Sequence, residues 1–241
     1  MRSLFLRSLL APVVLLLLSA SVFHAAPPAY ETRAEHDPNG IGKFYLGREI
    51  AHVMGHQAAG WLERPEREAE ERTDLLIQAM QLKTGEIVAD IGAGSGYFSW
   101  RMAKEVAPEG KIFGVDIQPE MLDLLQRNMQ RRGVSNVVSV LGTTTDPKLP
   151  ANSVDTILMV DVYHEFDFPY EMAKAMVAAL KKGGRIVLVE FRANDPEVRI
   201  KKVHTMTEEQ AKKEFAIFPE LHWETTLTPL PQQNILIFRK R

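Results

Sequence analysis

The sequence predicts an α/β fold in which helices cover both faces of a mostly parallel sheet. Two observations lead to this prediction. Short apolar segments alternate with longer segments of helical periodicity over residues 70–241, an alternation typical of parallel sheets. A glycine-rich turn also follows the first apolar segment, where a strand passes into a helix. With 241 residues, 45% of them apolar, the chain can form one large domain with its own core.

The glycine-rich turn lies at the end of the first predicted strand. That strand ends at Asp90, and three glycines follow at alternate positions, Gly92, Gly94 and Gly96. Glycines allow a sharp turn and a close approach of a ligand to the backbone, and the N–H groups of the next helix point toward that space. Dinucleotide-binding proteins favour a different spacing, G-x-G-x-x-G. A βα turn that binds no ligand is the alternative interpretation.

The second predicted strand (111–116) also ends in an acid, Asp116. It follows Gly96 by about twenty residues, which is the spacing of an acid that binds a ribose hydroxyl. A carboxylate can accept hydrogen bonds from both hydroxyls of a ribose. Pro119 and Glu120 then favour the start of a helix.

The glycine turn preceded by an acid, together with residues 115–122, resembles motif I and the following strand of the class I S-adenosylmethionine-dependent methyltransferases. This resemblance implies a Rossmann-like sheet of seven strands with an antiparallel edge, and S-adenosylmethionine as the cofactor. It also implies that Asp90 lies near the methionine amino group, that the glycines make room for the cofactor, and that Asp116 and Ile117 contact it.

The resemblance further implies that the loop 142–150, after a third strand (137–141), borders the adenine. The family usually has an acid directly after the glycine of this loop. Here Thr143 takes that position and Asp146 comes later. Both residues are therefore candidates for the adenine contact.

A group of polar residues follows the fourth predicted strand (153–160). Ligands of open α/β sheets bind outside the carboxyl ends of the strands. We expect Asp161 to contact the cofactor, while Tyr163, His164 and Glu165 are candidate catalytic residues near the methyl acceptor. The imidazole could remove a proton from the acceptor, Glu could orient the imidazole, and Tyr could hydrogen-bond the acceptor or present its ring face to the sulfonium. Capping of the next helix, or pairing with one another, is the alternative, since methyl transfer often needs no base.

The remaining segments complete the predicted sheet. A helix is expected at 169–180, a fifth strand at 185–191, a helix beginning at the N-cap Thr207, and two closing strands at 222–228 and 234–238. Arg192, just after the fifth strand, is expected at the same edge of the sheet and is a candidate substrate contact.

The N-terminus has the pattern of an export signal. Two arginines precede a short leucine-rich run, so residues 1–26 are predicted to be a signal peptide or an uncleaved anchor. We therefore expect an exported or membrane-tethered protein, periplasmic if bacterial, with a tether on the cytoplasmic side as the alternative. Residues 27–40 are predicted to be a flexible linker, because this segment is polar and contains prolines.

Residues 41–69 are predicted to form a helical cap on the domain at 70–241, and 41–65 to act as a lid over the site. His52 and His56 are four residues apart and would share a helix face. Two histidines are too few for a metal site, so no metal is predicted.

Together these observations favour methyl transfer from S-adenosylmethionine to a small molecule. The net charge of −2 and the absence of a basic run give no reason to expect a nucleic acid partner, and membrane contact is expected only through the leader. Two alternatives stay open. One is a non-catalytic binding protein of the cell envelope that retains the fold, and the other is an NAD-dependent oxidoreductase, which the glycine spacing disfavours.

Overall fold

The computed structural model describes residues 28–241. Within this range the chain forms a three-stranded sheet and a seven-stranded sheet. The leader predicted at 1–26 lies outside the described residues, so the signal peptide or anchor stays a prediction. None of the helices in the described range has the length and apolarity needed to span a membrane.

The N-terminal part begins with a small antiparallel sheet, so the expected helical cap at 41–69 is helical only from His56 onward. A two-residue turn defines its hairpin, and Leu46 and Gly47 both have positive φ, 51° and 93°, as a type I′ turn requires. The first strand also lies within the expected linker, 27–40. In chain order the elements are β1 (Tyr30–Thr32), β2 (Gly40–Tyr45), β3 (Arg48–Ala51) and a 3₁₀ helix (His56–Glu63).

The charged segment that follows, 66–81, has apolar residues at helical spacing that predict a single helix, but it forms two. Helix α1 (Arg67–Glu71) and helix α2 (Thr73–Met80) are separated by Arg72, whose φ is 50°. The carboxylate of Glu68 accepts a hydrogen bond from the Asp74 backbone N–H at 2.9 Å. This bond satisfies a free donor of the first turn of α2 and so stabilises the break.

The large sheet confirms the predicted Rossmann-like architecture, with helices on both faces. Its strand order is β6-β5-β4-β7-β8-β10-β9, and only β10 runs antiparallel to the other strands. The elements are β4 (Ile87–Ile91), α3 (Ser99–Val106), β5 (Lys111–Asp116), α4 (Pro119–Arg132), β6 (Val137–Leu141), β7 (Val154–Val160), α5 (Pro169–Ala179), β8 (Leu180–Phe191), α6 (Glu208–Phe215), β9 (Leu221–Leu227) and β10 (Gln233–Lys240).

The order of the strands determines where a ligand can bind. Strand β4 pairs with β5 on one side and with β7 on the other, so the chain reverses its winding direction at β4. Helices α5 and α6 pack on one face of the sheet, and α2 and α3 pack on the other. In a sheet of this kind the crevice at the carboxyl ends of the strands, at the point of reversal, is the binding position.

Helix α6 begins as predicted at its N-cap. The hydroxyl of Thr207 accepts a hydrogen bond from the Gln210 backbone N–H at 3.1 Å. The Gln210 side chain does not complete a capping box, because its amide donates to the carbonyl of Leu46 and to the carboxylate of Glu214. It thereby ties the N-terminal hairpin to helix α6.

Candidate cofactor and acceptor site

A cavity of about 420 Å³ lies at the carboxyl ends of β4, β5 and β7. The glycine turn, the ends of β5 and β7, and the turn after β8 form its walls, and the N-terminal segment covers it. Of the residues predicted from the sequence, the following line this cavity: Gly92, Gly94, Asp116, Ile117, Thr143, Asp161, His164 and Glu165.

Two of the three glycines form part of the cavity wall. Gly92 and Gly94 have φ values of 72° and 52°, and both line the cavity. A Cβ at Gly94 would lie 2.6 Å from the Leu62 side chain of the covering segment. Gly96 serves a different purpose, because a Cβ there would lie 2.9 Å from both Leu125 and Met129 of α4. The first two glycines thus shape the cavity, and the third allows close packing of a helix.

Asp116 holds the glycine turn and faces the cavity. Its Oδ2 accepts a hydrogen bond from Gly94 N–H at 2.9 Å, and its Oδ1 accepts one from Gln118 N–H at 2.9 Å. Burial raises the pKa of this carboxyl. Each carboxylate oxygen has a second lone pair, so both remain able to accept a hydroxyl from the cavity.

Asp90 lies behind the turn and is not part of the cavity wall. Its side chain is buried, and its Oδ2 accepts a hydrogen bond from the Ser99 hydroxyl at 2.6 Å. Burial raises the pKa of Asp90 to about 6. The geometry therefore gives Asp90 a part in holding strand β4 to helix α3, with no direct contact to the space where a ligand would bind.

The structure separates the two candidates for the adenine contact. Thr143 lines the cavity together with Thr144. Asp146 turns back onto its own loop, where its carboxylate accepts hydrogen bonds from the backbone N–H and the ammonium group of Lys148 at 2.7 and 2.8 Å. The ion pair lowers the pKa of Asp146.

Asp161 is strained and incompletely hydrogen-bonded. It has a φ of 51°, which is unusual for a residue other than glycine. Its Oδ2 accepts a hydrogen bond from the Gln233 amide at 3.0 Å, whereas its buried Oδ1 has no partner among the described residues. Burial raises the pKa of this carboxyl, and the nearby Glu71 and Glu190 raise it further. A strained, unpaired carboxylate oxygen beside a cavity suits a ligand that carries a hydrogen-bond donor.

Arg67, from helix α1, brings a positive charge to the wall of the cavity. Its side chain is buried, with Nε donating to Glu71 at 2.9 Å and Nη1 donating to the Leu62 carbonyl at 3.0 Å. The guanidinium also lies 4.3 Å from the ring centroid of Tyr97. Arg67 was not predicted from the sequence, because it stands in a segment of mixed charges that is typical of an exposed helix.

His164 is the most deeply buried titratable residue of the cavity wall, with 2% of its surface exposed. Its Nδ1 lies 2.6 Å from Oε2 of Glu190 on strand β8. Its Nε2 lies 3.1 Å from Nδ1 of His204, and both rings border the cavity. Burial acts to lower the pKa of His164, but the carboxylates of Glu190, Glu165 and Asp161 together outweigh it, so the pKa is raised.

Glu165 and His204 complete this cluster. Oε1 of Glu165 lies 3.5 Å from Nδ1 of His204 and 3.9 Å from Nε2 of His164. His204 belongs to a short 3₁₀ turn after β8, and a backbone bond from Met206 N–H to the Phe191 carbonyl (2.9 Å) holds this turn on the sheet. The cluster thus combines two neighbouring residues that follow β7 with one residue from the turn that follows β8.

Tyr163 lies outside the cavity wall, although it is adjacent in sequence to two residues of the cluster. Its ring is buried in the core, 5.4 Å from Phe166 and 5.0 Å from Phe215. Burial raises its pKa well above the usual value, and Glu214 raises it further. The position gives no support for the acceptor contact predicted for Tyr163 and supports a packing role.

The N-terminal segment is attached to the site through polar contacts. Met54 N–H donates to Oε2 of Glu165 at 3.2 Å, and the Met54 carbonyl accepts from the Gln118 amide at 3.0 Å. Oε1 of the same amide accepts from His56 N–H at 2.8 Å. The covering segment is therefore hydrogen-bonded both to the cluster and to Gln118, two residues after Asp116.

Three other residues considered from the sequence do not meet in the site. His52 is exposed in the loop after β3, and His56 lies 3.9 Å from Glu120, so the expected helix face with both histidines does not exist. Arg192 donates to Asp195 at 2.9 Å and to the Gln233 carbonyl at 3.1 Å. It fixes the turn after β8 and does not line the cavity.

Comparisons with known proteins agree with this geometry. A family model described as a methyltransferase domain matches residues 82–234. The chain is similar to protein-L-isoaspartate O-methyltransferase of Ignicoccus hospitalis, with 27% identity over 113 residues, or 47% of this chain and 51% of that protein. It is also similar to arsenite methyltransferase of Halobacterium salinarum, with 29% identity over 112 residues, or 46% of this chain and 29% of that protein. The chain therefore spans about half or less of the length of these relatives.

Solved structures show the same fold. A SAM-dependent methyltransferase from Aquifex aeolicus superimposes with a TM-score of 0.74 at 18% identity, covering 78% of this chain and 100% of that one. A putative O-methyltransferase from Nostoc punctiforme superimposes with a TM-score of 0.61 at 21% identity, covering 77% of this chain and 60% of that one. Since the family model spans more than half of the chain and the fold superimposes on that of a SAM-dependent methyltransferase, the chain belongs to the class I S-adenosylmethionine-dependent methyltransferases.

Proposed function

We propose that this protein transfers a methyl group from S-adenosylmethionine to a small-molecule acceptor. The observation that carries the proposal is the arrangement around the cavity. Two glycines with positive φ make room at one wall, Asp116 offers two carboxylate oxygens, and Asp161 has an unpaired buried oxygen. These groups fit the shape, the ribose diol and the ammonium group of S-adenosylmethionine, respectively.

Each part of the cofactor has a partner in this proposal. Asp116 holds the ribose hydroxyls, and Ile117 and Thr143 flank the adenine. Asp161 accepts a hydrogen bond from the methionine ammonium group, while Arg67 pairs with the methionine carboxylate. When bound, S-adenosylmethionine supplies a methyl group on a sulfonium, which is a good leaving group.

The residues of the chain then position the acceptor and exclude water. His164, Glu165 and His204 form the polar end of the cavity, and Phe166 and Phe191 are apolar neighbours in its wall. Holding a nucleophile in line with the methyl group converts an encounter between two molecules into a reaction within one complex. The segment that covers the cavity limits access of water to the reacting atoms.

A small organic molecule suits this cavity better than isoaspartate in a protein or arsenite, the acceptors after which two relatives are named. The covering segment crosses the cavity and bonds to Glu165 and Gln118, so a peptide chain containing isoaspartate would have to displace it. The chain also contains no cysteine, and thiolates are the ligands that soft metal and metalloid ions prefer. An organic acceptor with a polar nucleophile fits the imidazole and carboxylate groups that are present.

Calorimetric titration of the full chain with S-adenosylmethionine and with its demethylated product tests the cofactor site. We expect binding that Asp116→Asn weakens at least tenfold, because the amide loses acceptor positions for the ribose. The matched control is Asp146→Asn, which changes an acid outside the cavity and should leave the affinity unchanged. A folded protein that binds neither compound would contradict the proposal, and the envelope binding protein would become the preferred interpretation.

A further inference from the structure

The cluster at the polar end of the cavity has the composition of a metal site. Two imidazoles and a carboxylate converge there, from His164, His204 and Glu165, and their nearest ligand atoms all lie within 4.8 Å of one another. Two histidines and one acid, with further positions left open, are a common ligand set for catalytic zinc and for other divalent first-row metals. The sequence did not predict this site, because His204 is 40 residues away from His164.

The distances within the cluster match the size of such an ion. The three ligand atoms, Nε2 of His164, Nδ1 of His204 and Oε1 of Glu165, are separated by 3.1, 3.5 and 3.9 Å. The point equidistant from these atoms lies about 2 Å from each, which is the bond length from zinc to imidazole nitrogen and to carboxylate oxygen. An ion at that point would lie within bonding distance of all three atoms.

The carboxylate of Glu190 holds His164 through the ring nitrogen that does not face the cluster. Oε2 of Glu190 lies 2.6 Å from Nδ1 of His164, and both side chains are almost completely buried. A carboxylate in this position keeps the proton on Nδ1, so Nε2 presents its lone pair to the cavity. Histidines that bind metal ions commonly donate their other N–H to a carboxylate in this way. Glu165 is also held in place, since its Oε2 accepts a hydrogen bond from Met54 N–H.

We propose that His164, Glu165 and His204 bind one divalent transition-metal ion at the acceptor end of the cavity. All three residues line the cavity, so the remaining coordination positions of the ion are reached from the space for the acceptor. Imidazole ligands favour zinc and its first-row neighbours over magnesium and calcium, which prefer oxygen. The role of the ion rests on the proposed function. The ion binds a hydroxyl or carboxylate oxygen of the acceptor and so orients the nucleophile of the acceptor.

The test uses Zn²⁺ as the probe. The full chain is treated with a chelator, dialysed and titrated with Zn²⁺ by calorimetry in the absence of S-adenosylmethionine. We expect one ion per chain, with His204→Gln and Glu165→Gln weakening binding at least 100-fold. His52→Gln is the matched control, because it removes an exposed histidine that lies outside the cluster and the cavity. It should bind Zn²⁺ as the unmodified protein does.

Co²⁺ gives an independent readout of the ligands. Bound to the unmodified chain, it should show the visible absorption of a site with nitrogen and oxygen ligands, and His204→Gln should lose this absorption. If His204→Gln and the unmodified chain bind Zn²⁺ equally, the contact between the two histidines is a hydrogen bond only and the inference is wrong.

The affinity for S-adenosylmethionine separates the two proposals and shows that the variants are folded. It should change less than about threefold in both His204→Gln and Glu165→Gln. If the unmodified chain binds S-adenosylmethionine but not Zn²⁺, only the proposed metal site is overturned. Zinc binding without cofactor binding would overturn only the proposed function.

Discussion

Oε2 of Glu190 lies 2.6 Å from Nδ1 of His164, and both side chains have 2% or less of their surface exposed. Glu190 stands in strand β8, whose other side chains near this point are apolar. A buried carboxylate is costly unless it is paired, so this contact fixes the orientation of the imidazole. The ring edge with Nε2 consequently borders the cavity, next to His204 and Glu165.

Glu190→Gln tests what the carboxylate does for His164. The amide oxygen can still accept from Nδ1–H, so the ring stays in place while the negative charge is lost. We expect the affinity for Zn²⁺ to fall about 10- to 100-fold, as it does when a carboxylate behind a ligating histidine is removed. Calorimetry measures the change, and Glu120→Gln, an exposed acid on α4, is the control. Unchanged affinity would show that Glu190 has only a packing role.

Gly94→Ala tests the space at the glycine turn. A Cβ there would lie 2.6 Å from Leu62 and would intrude on the wall of the cavity. Gly85→Ala is the matched control, because its φ is also positive, 86°, but nothing lies within 4 Å of a Cβ. Both variants should lose about 1–2 kcal/mol of stability from backbone strain.

Only Gly94→Ala should weaken the binding of S-adenosylmethionine, by at least tenfold in calorimetry. Equal affinities in the two glycine variants would mean that the turn at Gly94 does not contact the cofactor.

The residues that belong to a short motif at the edge of the sheet could be predicted from the sequence. Gly92, Gly94 and Asp116 were found from spacing alone, because a strand, a turn and a helix that are contiguous in sequence must bring them to one edge of the sheet. The antiparallel edge of β10 and β9 was also anticipated. The order of residues along the chain was enough to predict geometry that depends on short connections between neighbouring elements.

Contacts between distant segments were not predictable in this way. His204 meets His164 only because the turn after β8 folds back against the strand end. Tyr163 was assigned to the site because it is next to His164, yet the 3₁₀ turn at Tyr163–Glu165 directs its ring into the core. The N-terminal hairpin was missed because Leu46 adopts a positive φ, which a leucine rarely does and which therefore gives no turn signal.

Asp90 should make stability depend on pH. Its pKa is about 6 in the folded protein, above the usual 3.8, because the carboxyl is buried. Between these values the folded state holds a proton that the unfolded state releases, so the free energy of unfolding falls as pH rises through about 4 to 6 and stays reduced above that. Asp90→Asn removes this contribution.

The comparison of these two proteins isolates the effect of Asp90. From about pH 5 to about pH 7, the unmodified chain should lose about 1 kcal/mol more stability than Asp90→Asn, as measured by denaturant titration at each pH. The hydroxyl of Ser99 can still donate to the oxygen of the asparagine, so the variant should fold. Parallel pH dependence in both proteins would show that Asp90 ionises with an ordinary pKa.

Gln118→Ala tests whether the segment at 41–65 acts as a lid. The Gln118 side chain accepts a hydrogen bond from His56 N–H and donates one to the Met54 carbonyl, and so ties this segment to the end of β5. Its removal should speed amide hydrogen exchange in 41–65 and lower the rate of methyl transfer about tenfold once an acceptor is known, since water enters a site that is less often covered. The affinity for S-adenosylmethionine should change less than threefold, because the backbone N–H of residue 118 still donates to Asp116.

Gln126→Ala, at an exposed position of α4, is the control. If Gln118→Ala shows faster exchange but unchanged turnover, the segment does not control the reaction.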